Sequence, residues 1–167
     1  IVAASLTLVA PQDLTGKRVL ISSGGTQEPI DPVRFLGNHS SGKQGIAIAV
    51  EASKRGALVS LIAANVNESI PDLHEVIRVS TAAELSGAID ERLGQTDAVI
   101  MAAAVADFRV ESAANKKLKR SELGDEITLK LVANPDILAG LVTRIQAERL
   151  PVASVGFAAE TATSTND

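Results

Sequence analysis

RVLISSGGTQEPIDPVRFLGNHSSGKQGIAIAVEASKRGALVSLIAA, residues 18–64, carries the pattern from which the fold is read. A short β-branched run, Arg18 to Ser22, meets the glycine pair Gly24-Gly25 and a long polar loop holding Pro29 and Pro32. A helix-period stretch of small residues then runs from about Ser41 to Arg55 and is closed by Gly56, before ALVSLIAA forms a second strand. Two short apolar runs flanking one amphipathic run predict parallel strands joined by a crossover helix.

The same alternation continues outward. His74 to Val79 (HEVIRV) reads as a third strand, and Thr81 with Glu84 forms a capping box for a helix reaching about Leu93. DAVIMAAAVA, from Asp97, is a continuous apolar run, the signature of a central strand buried on both faces. ITLKLVA alternates and reads as an edge-type strand, Pro135 to Arg149 as a helix with Pro at its first turn, and VASVGFA as the last strand. The expected class is therefore α/β: a Rossmann-like, doubly wound, mostly parallel sheet with helices on both faces. Ligands of such sheets sit beyond the carboxyl ends of the strands, which selects the loops after Ser22, Ala104, Ala133 and Phe157.

Composition narrows the chemistry. The chain has 167 residues with a net charge of −4, no Cys, no Trp, no Tyr, two His and three Phe. Thiol catalysis and metal centres built on Cys or several His are excluded, whereas carboxylate-bound Mg²⁺ is not. Aromatic residues at 2% and an acidic balance argue against single-strand nucleic-acid binding. The apolar start IVAASLTLVAP is short and lacks a basic flank, so a membrane span or signal peptide is not expected and a cytoplasmic protein is. Residues 1–13 read as a linker from an upstream domain, 14–161 as one nucleotide-binding domain and 162–167 as a polar tail.

Four segments carry candidate chemistry. In the first, Gly37 to Lys43 matches the G-x4-G-K part of a P-loop, but Gln44 stands where Ser or Thr would ligate Mg²⁺, and a long loop separates it from the strand. An ordinary P-loop is rejected. Ser40, Ser41 and Gly42 still offer hydroxyl and N–H donors to an anion at a helix start, with Lys43 adding charge; alternatively Ser40 is simply the N-cap. Glu28, Asp31, Arg34, Asn38 and His39 crowd the preceding loop beyond what a turn requires.

The second segment is AAAVADFR, Ala102 to Arg109. Small residues admit a planar base close to the backbone, Asp107 can take a ribose hydroxyl or a metal–phosphate complex, and Phe108 can flank the base; equally, Asp107 can cap a turn. The third is the cationic run Lys116 to Arg120, either a solvated loop or a flap closing on a triphosphate. The fourth, Asn134-Pro135-Asp136, reads as an Asn N-cap with Pro at the first helical position. Neither G-x-G-x-x-G nor an acidic residue after the second strand is present, so an NAD(P)-dependent oxidoreductase remains a weaker alternative.

Taken in order and spacing, GGTQEPIDPVRFLGNHSSGKQG, AAAVADFR, KKLKR, NPDIL and VGFAAET resemble the phosphopantothenate-cysteine ligase family, the ligase domain of bacterial bifunctional coenzyme A biosynthesis proteins. The resemblance spans Leu14 to Thr161. It implies a two-step ligation in which the carboxylate of 4′-phosphopantothenate attacks CTP to give an acyl-cytidylate, which cysteine then opens. It also implies Mg²⁺, a homodimer, and a flavin-dependent decarboxylase fused upstream or associated, whose flavin belongs to that other domain.

Residue by residue, the resemblance gives Asn38 the role of binding the acyl intermediate and Arg34 the substrate side. It gives Met101, Ala102 and Ala103 the reading of cytosine, and Asp107 the ribose or metal. It gives Lys117 the triphosphate, with Pro135, Asp136, Ile137 and Leu138 as a helix start against the nucleotide and Phe157 as a base-packing position. Ser41, Gly42 and Phe108 complete the expected nucleotide site. The family domain continues beyond this chain's last residue with further lysines, a strand and a helix, so a nucleotide-binding domain without turnover is a second alternative.

Overall fold

The computed structural model describes residues 11–158. The expected tail 162–167, the first ten residues of the expected linker, and the end of the VGFAAET motif lie outside the described residues. In chain order the elements are β1 (Arg18–Gly24), β2 (Gln27–Pro29), β3 (Phe35–Gly37), α1 (Lys43–Lys54), β4 (Leu58–Ala64), β5 (Glu75–Val79) and α2 (Ala82–Arg92). A 3₁₀ turn (Leu93–Gln95) follows, then β6 (Ala98–Met101), β7 (Phe108–Val110), α3 (Arg120–Leu123), β8 (Leu131–Ala133), α4 (Ile137–Ala147) and β9 (Ala153–Gly156).

Five strands form one parallel sheet in the order β5-β4-β1-β6-β9. The chain adds β4 and β5 on one side of β1 and then crosses to place β6 and β9 on the other, so the strand order reverses between β1 and β6. Alternate side chains of each strand feed opposite faces. Val19, Ile21, Val59 and Leu61 meet Ala49 and Ala52 of α1, while Leu20, Ile62 and Val99 meet Leu85 and Ile89 of α2 and Leu141 of α4. Helices therefore cover both faces, as the Rossmann-like class requires.

Two expectations about individual strands need correction. DAVIMAAAVA supplies only a four-residue strand, Ala98–Met101, and its burial alternates: Val99 and Met101 are buried, Ala98 and Ile100 half-buried. On one face α2 and α4 press on the strand, whereas on the other Ala98 and Ile100 are only partly buried against the cluster that α1 forms with β1 and β4. ITLKLVA likewise shortens to Leu131–Ala133, which pairs antiparallel with Phe108–Val110. A second small hairpin, β2 with β3, rises from the loop between β1 and α1.

Helix starts follow local chemistry at α2 and α4 and tertiary packing at α1. At α2 the capping box forms as read: the Thr81 hydroxyl accepts from Glu84 N–H, and the Glu84 carboxylate accepts from Thr81 N–H. At α1 neither Ser40 nor Ser41 is the N-cap; it is Gly42 at φ 80°, a left-handed conformation that favours glycine. A Cβ there would also lie 2.8 Å from a Val66 methyl carbon. At α4 the N-cap is Asp136, which accepts from Ala139 N–H at 2.9 Å, so Pro135 precedes the helix and Asn134 is free for another task.

Thr81→Ala should lower stability by about 1 kcal/mol, the typical worth of an N-cap. Leu85→Ala, one turn along the same helix and fully buried, should cost about 2–5 kcal/mol. Urea midpoints at constant m-value measure both.

Candidate functional site

Where β1 ends, the chain must leave a buried sheet without stranding its backbone polar groups. The turn after β1 solves this by bonding to every neighbouring strand. Gly25 N–H reaches Ala64 C=O at 2.9 Å, Thr26 N–H reaches Ala104 C=O at 3.1 Å, Ala104 N–H returns to Gly24 C=O at 2.8 Å, and Gln27 N–H reaches Ser80 C=O at 2.8 Å. Asn65, at φ 48°, ties the same point to the end of β5 by donating to Gly25 C=O and Ser80 C=O, both at 2.9 Å.

Buried hydroxyls extend this lattice. Ser22 Oγ accepts Ala103 N–H at 3.1 Å, Thr26 Oγ1 accepts Ala106 N–H at 2.9 Å, and Ser23 Oγ donates to Gly42 C=O at 2.7 Å. Asn134 completes it: its N–H donates to Asp107 C=O at 2.7 Å and its Nδ2 to Ala106 C=O at 2.8 Å. The segment 102–107 is thus held on three sides, and α1 is drawn against the end of β1. Ser22, Ser23, Thr26 and Asn65 did not stand out as site groups in the sequence, and Asn134, part of the fourth candidate segment, was expected as an N-cap. The available signal was polar residues directly at the ends of apolar strands.

Among the expected site residues, Asn38, Asp107 and Phe108 come together. They line a cavity of about 180 Å³ with Leu36 and Leu131, beside the β1–β6 reversal. Asn38 Nδ2 donates to Val105 C=O at 3.0 Å. The close approach depends on Gly25, where a Cβ would sit 2.9 Å from the Asn38 carbonyl oxygen. Ser41 and Gly42 stand at the start of α1, next to Ser23 and Gly24. Met101, Leu138 and Phe157 form a second group: Phe157 N–H donates to Met101 C=O at 3.2 Å, and the Leu138 side chain covers Gly156. Ala102 and Ala103 are half-buried between the two groups. Pro135, Asp136 and Ile137 do not share the Asn38 cavity; they line a hollow between α2 and α4. A larger hollow, about 260 Å³, opens at the amino-terminal ends of the strands. That is the end opposite the loops where parallel sheets hold ligands.

The crowded polar loop divides sharply. Glu28, 3% exposed, accepts Ala82 N–H at 2.8 Å and so caps α2 from a distance. Asp31, 4% exposed, is engaged with Arg34, Val33 and Leu118. The Arg34 guanidinium beside it holds its carboxyl well below the usual carboxylate range, against the opposing effect of burial and with help from three backbone N–H groups. Lys43 pairs with Glu68, Lys119 with Glu122, and Arg120 with Asp125. Lys116 and Lys117 make no ion pair among the described residues, and Lys117 does not line the Asn38 cavity. No group of three or more His, Asp or Glu side chains among the described residues could hold a metal ion, and no helix among them is long and apolar enough to cross a membrane.

Comparison with known proteins gives a consistent picture. The family model for the DNA/pantothenate metabolism flavoprotein C-terminal domain matches residues 14–167. The coenzyme A biosynthesis bifunctional protein CoaBC of Mycobacterium tuberculosis (strain ATCC 25618 / H37Rv) is 47% identical over 160 residues, 94% of this chain and 38% of its own length. CoaBC of Escherichia coli (strain K12) is 45% identical over 150 residues, 89% of this chain and 36% of that protein. The chain thus spans little more than a third of the curated relatives it matches. A crystal structure of the C-terminal domain of a CoaBC protein superposes with a TM-score of 0.72 at 36% identity, covering 92% of this chain and 68% of that one. A Cab2 mutant in complex with phosphopantothenate-cysteine shares the fold at TM-score 0.58 and 19% identity, covering 84% and 66%.

Thr26→Val leaves Ala106 N–H buried without an acceptor and should cost about 1–3 kcal/mol in urea unfolding, with Thr26→Ser much milder. The depressed Asp31 carboxyl contributes stability that is complete above its unfolded value near ~3.9 and is lost as pH falls toward its folded value. The difference in urea midpoint between the natural protein and Asp31→Asn should therefore stay constant from about pH 5 to 8 and shrink below about pH 4.

Proposed function

The chain belongs to the DNA/pantothenate metabolism flavoprotein C-terminal domain family, and from that membership we propose that it is the ligase part of a cytoplasmic coenzyme A biosynthesis enzyme, joining 4′-phosphopantothenate to cysteine at the expense of CTP. The observation that carries this reading is the convergence of Asn38, Asp107 and Phe108 on one cavity beside the β1–β6 reversal. The complex of the structural neighbour with phosphopantothenate-cysteine supports the same product chemistry.

The reaction must activate a carboxylate, which is a poor electrophile. In the first step the substrate carboxylate oxygen bonds to the α-phosphorus of CTP, the bond to the bridging oxygen breaks, and pyrophosphate leaves. In the second the cysteine amine attacks the acyl carbon, a tetrahedral oxyanion forms, and its collapse expels CMP while the amine loses its proton. Asn38 suits the second step. Its Nδ2 carries two hydrogens and spends one on Val105 C=O, leaving the other for the developing oxyanion. Arg34 suits the substrate side, because Nε and Nη2 are bound by Asp31 and Leu118 while Nη1 has no protein partner among the described residues.

On the nucleotide side, Ala103 N–H is already given to Ser22, so recognition of cytosine along Met101 to Ala103 falls to other backbone groups. Phe108 and Phe157, each about half exposed at 51% and 52%, offer apolar faces to the base. Ser41, Gly42 and the start of α1 favour phosphate oxygens, as does Lys117, which has no ion-pair partner among the described residues. Of the expected helix start, Leu138 lies over Gly156 beside Phe157 and so borders the nucleotide side, whereas Pro135, Asp136 and Ile137 face the hollow between α2 and α4 and are left out of the proposed site. For Mg²⁺, a lone carboxylate, Asp107, fits an ion that arrives on phosphate oxygens and keeps most of its waters rather than one caged by protein. Bound there, the ion would neutralise triphosphate charge.

A homodimer fits the surface. Phe35 and Phe108, 53% and 51% exposed, sit on the two neighbouring hairpins with Val33 and Leu131, and apolar surface of that kind marks an interface. Fusion to, or association with, a flavin-dependent decarboxylase matches the bifunctional relatives.

The protein should release pyrophosphate from CTP only when 4′-phosphopantothenate is present, and more slowly from ATP. Asn38→Ala should lower the cysteine-dependent step about 10²–10³-fold while sparing pyrophosphate release. Pyrophosphate appearing equally without the carboxylate substrate would rule out the acyl-cytidylate. Thermal stabilisation by CTP without product would indicate binding alone, and NAD(P)H binding would favour the oxidoreductase alternative.

A further inference from the structure

Residues 111–119 connect β7 to α3 without helix or strand pairing beyond Glu111, which donates to Lys130 C=O. Their position has to come from contacts elsewhere, and two contacts reach the loop before β3. Ala114 N–H donates to Ile30 C=O at 2.9 Å. At residue 118 both backbone polar groups are taken: its N–H donates to Asp31 Oδ2 at 3.1 Å, and its C=O accepts Arg34 Nη2 at 2.7 Å. Lys116 and Lys117 lie between these two attachment points.

Asp31 is built for this. Its Oδ1 accepts Val33 N–H at 2.8 Å and Arg34 N–H at 2.9 Å, closing the turn on which it sits. Its Oδ2 takes Arg34 Nε at 3.0 Å, Arg34 Nη2 and Leu118 N–H together. The carboxylate thus orients the guanidinium, and the pair grips residue 118. We propose that Asp31 is a positioning residue that makes Arg34 and the Lys116–Lys117 segment one mechanical unit, so that the substrate and the nucleotide triphosphate are aligned by a single clamp. This deepens the ligase reading and rests on it for the ligands, while the clamp itself is a property of the fold.

An amide cannot replace this carboxylate, because Asn offers one acceptor oxygen and would turn donors toward Arg34 or Leu118 N–H. Limited trypsin digestion follows the clamp directly, since Lys116, Lys117, Lys119 and Arg120 are all exposed. With far-UV circular dichroism unchanged, Asp31→Asn should speed cleavage in this run about tenfold, whereas Thr81→Ala, which weakens only the α2 cap, should not. Kinetically, Asp31→Asn should raise KM for CTP and for phosphopantothenate together, with a smaller change in kcat. Unchanged cleavage in the folded variant overturns the clamp, and a KM shift for one substrate alone overturns the coupling. If the natural protein releases no pyrophosphate from CTP, the ligase reading fails while the digestion result still decides the clamp. If Asp31→Asn does not fold, amide exchange in the natural protein decides: Leu118 N–H should exchange about tenfold or more slower than Lys117 N–H, and equal rates overturn the proposal.

Discussion

The backbone hydrogen bonds of the Gly24–Gln27 turn hold the carboxyl end of the sheet together. Through them β1 is joined to β4 at Ala64, to the extension of β6 at Ala104 and to the end of β5 at Ser80. A parallel sheet must place its turning points where the strands end, and buried peptide groups left unpaired there would each cost about 1–3 kcal/mol. Meeting that requirement brings loops from distant parts of the chain within hydrogen-bond distance. The site is a consequence: Asn38 reaches Val105 because Gly25 lets its backbone pass close, and Asp107 is presented because Ala106 is fixed to both Thr26 and Asn134.

Charge is distributed by the same logic. Glu28 and Asp31 are nearly excluded from solvent, and each is bound to donors: the first N–H of α2 for Glu28, and for Asp31 a guanidinium and three backbone N–H groups that stabilise its ionised form. Buried carboxylates of this kind are stable only when their oxygens are occupied, so they are poor candidates for proton transfer or metal binding. What stays available for ligands is more modest: one hydrogen of Asn38, the Nη1 edge of Arg34, the exposed carboxylate of Asp107 and the ammonium groups of Lys116 and Lys117. Most of the polar density that marks the loop in the sequence builds the site's walls.

The few aromatic residues point the other way. All three Phe side chains are about half exposed, at 53%, 51% and 52% for Phe35, Phe108 and Phe157, while the core is filled by Leu, Ile, Val and Ala. Small and branched residues suffice between closely packed helices and strands, which leaves the flat side chains for surfaces that meet a base or a second subunit. The lack of Cys has a parallel sense, since in the proposed reaction the thiol-bearing molecule is a substrate whose amine attacks.

Local patterning alone determined the α/β class, the parallel strands and the loops that form the candidate site. Hydrophobic period depends on which side chains a sheet or helix can bury, and that is written residue by residue. The α2 capping box was legible for the same reason, because Thr81 and Glu84 bond within one turn. Tertiary structure decided what depends on partners far along the chain. It made Gly42 rather than Ser40 the start of α1, with the Gly42 carbonyl shared by Ile46 N–H and the Ser23 hydroxyl, and it moved Asn134 from capping α4 to holding the 106–107 backbone. It raised the β2–β3 hairpin from a loop too brief to show a period, and it paired Leu131–Ala133 with Phe108–Val110 across the intervening segment. It also turned Asp31 from an apparent site carboxylate into the anchor of a segment 87 positions away, since a buried charge takes whichever donors the fold brings to it.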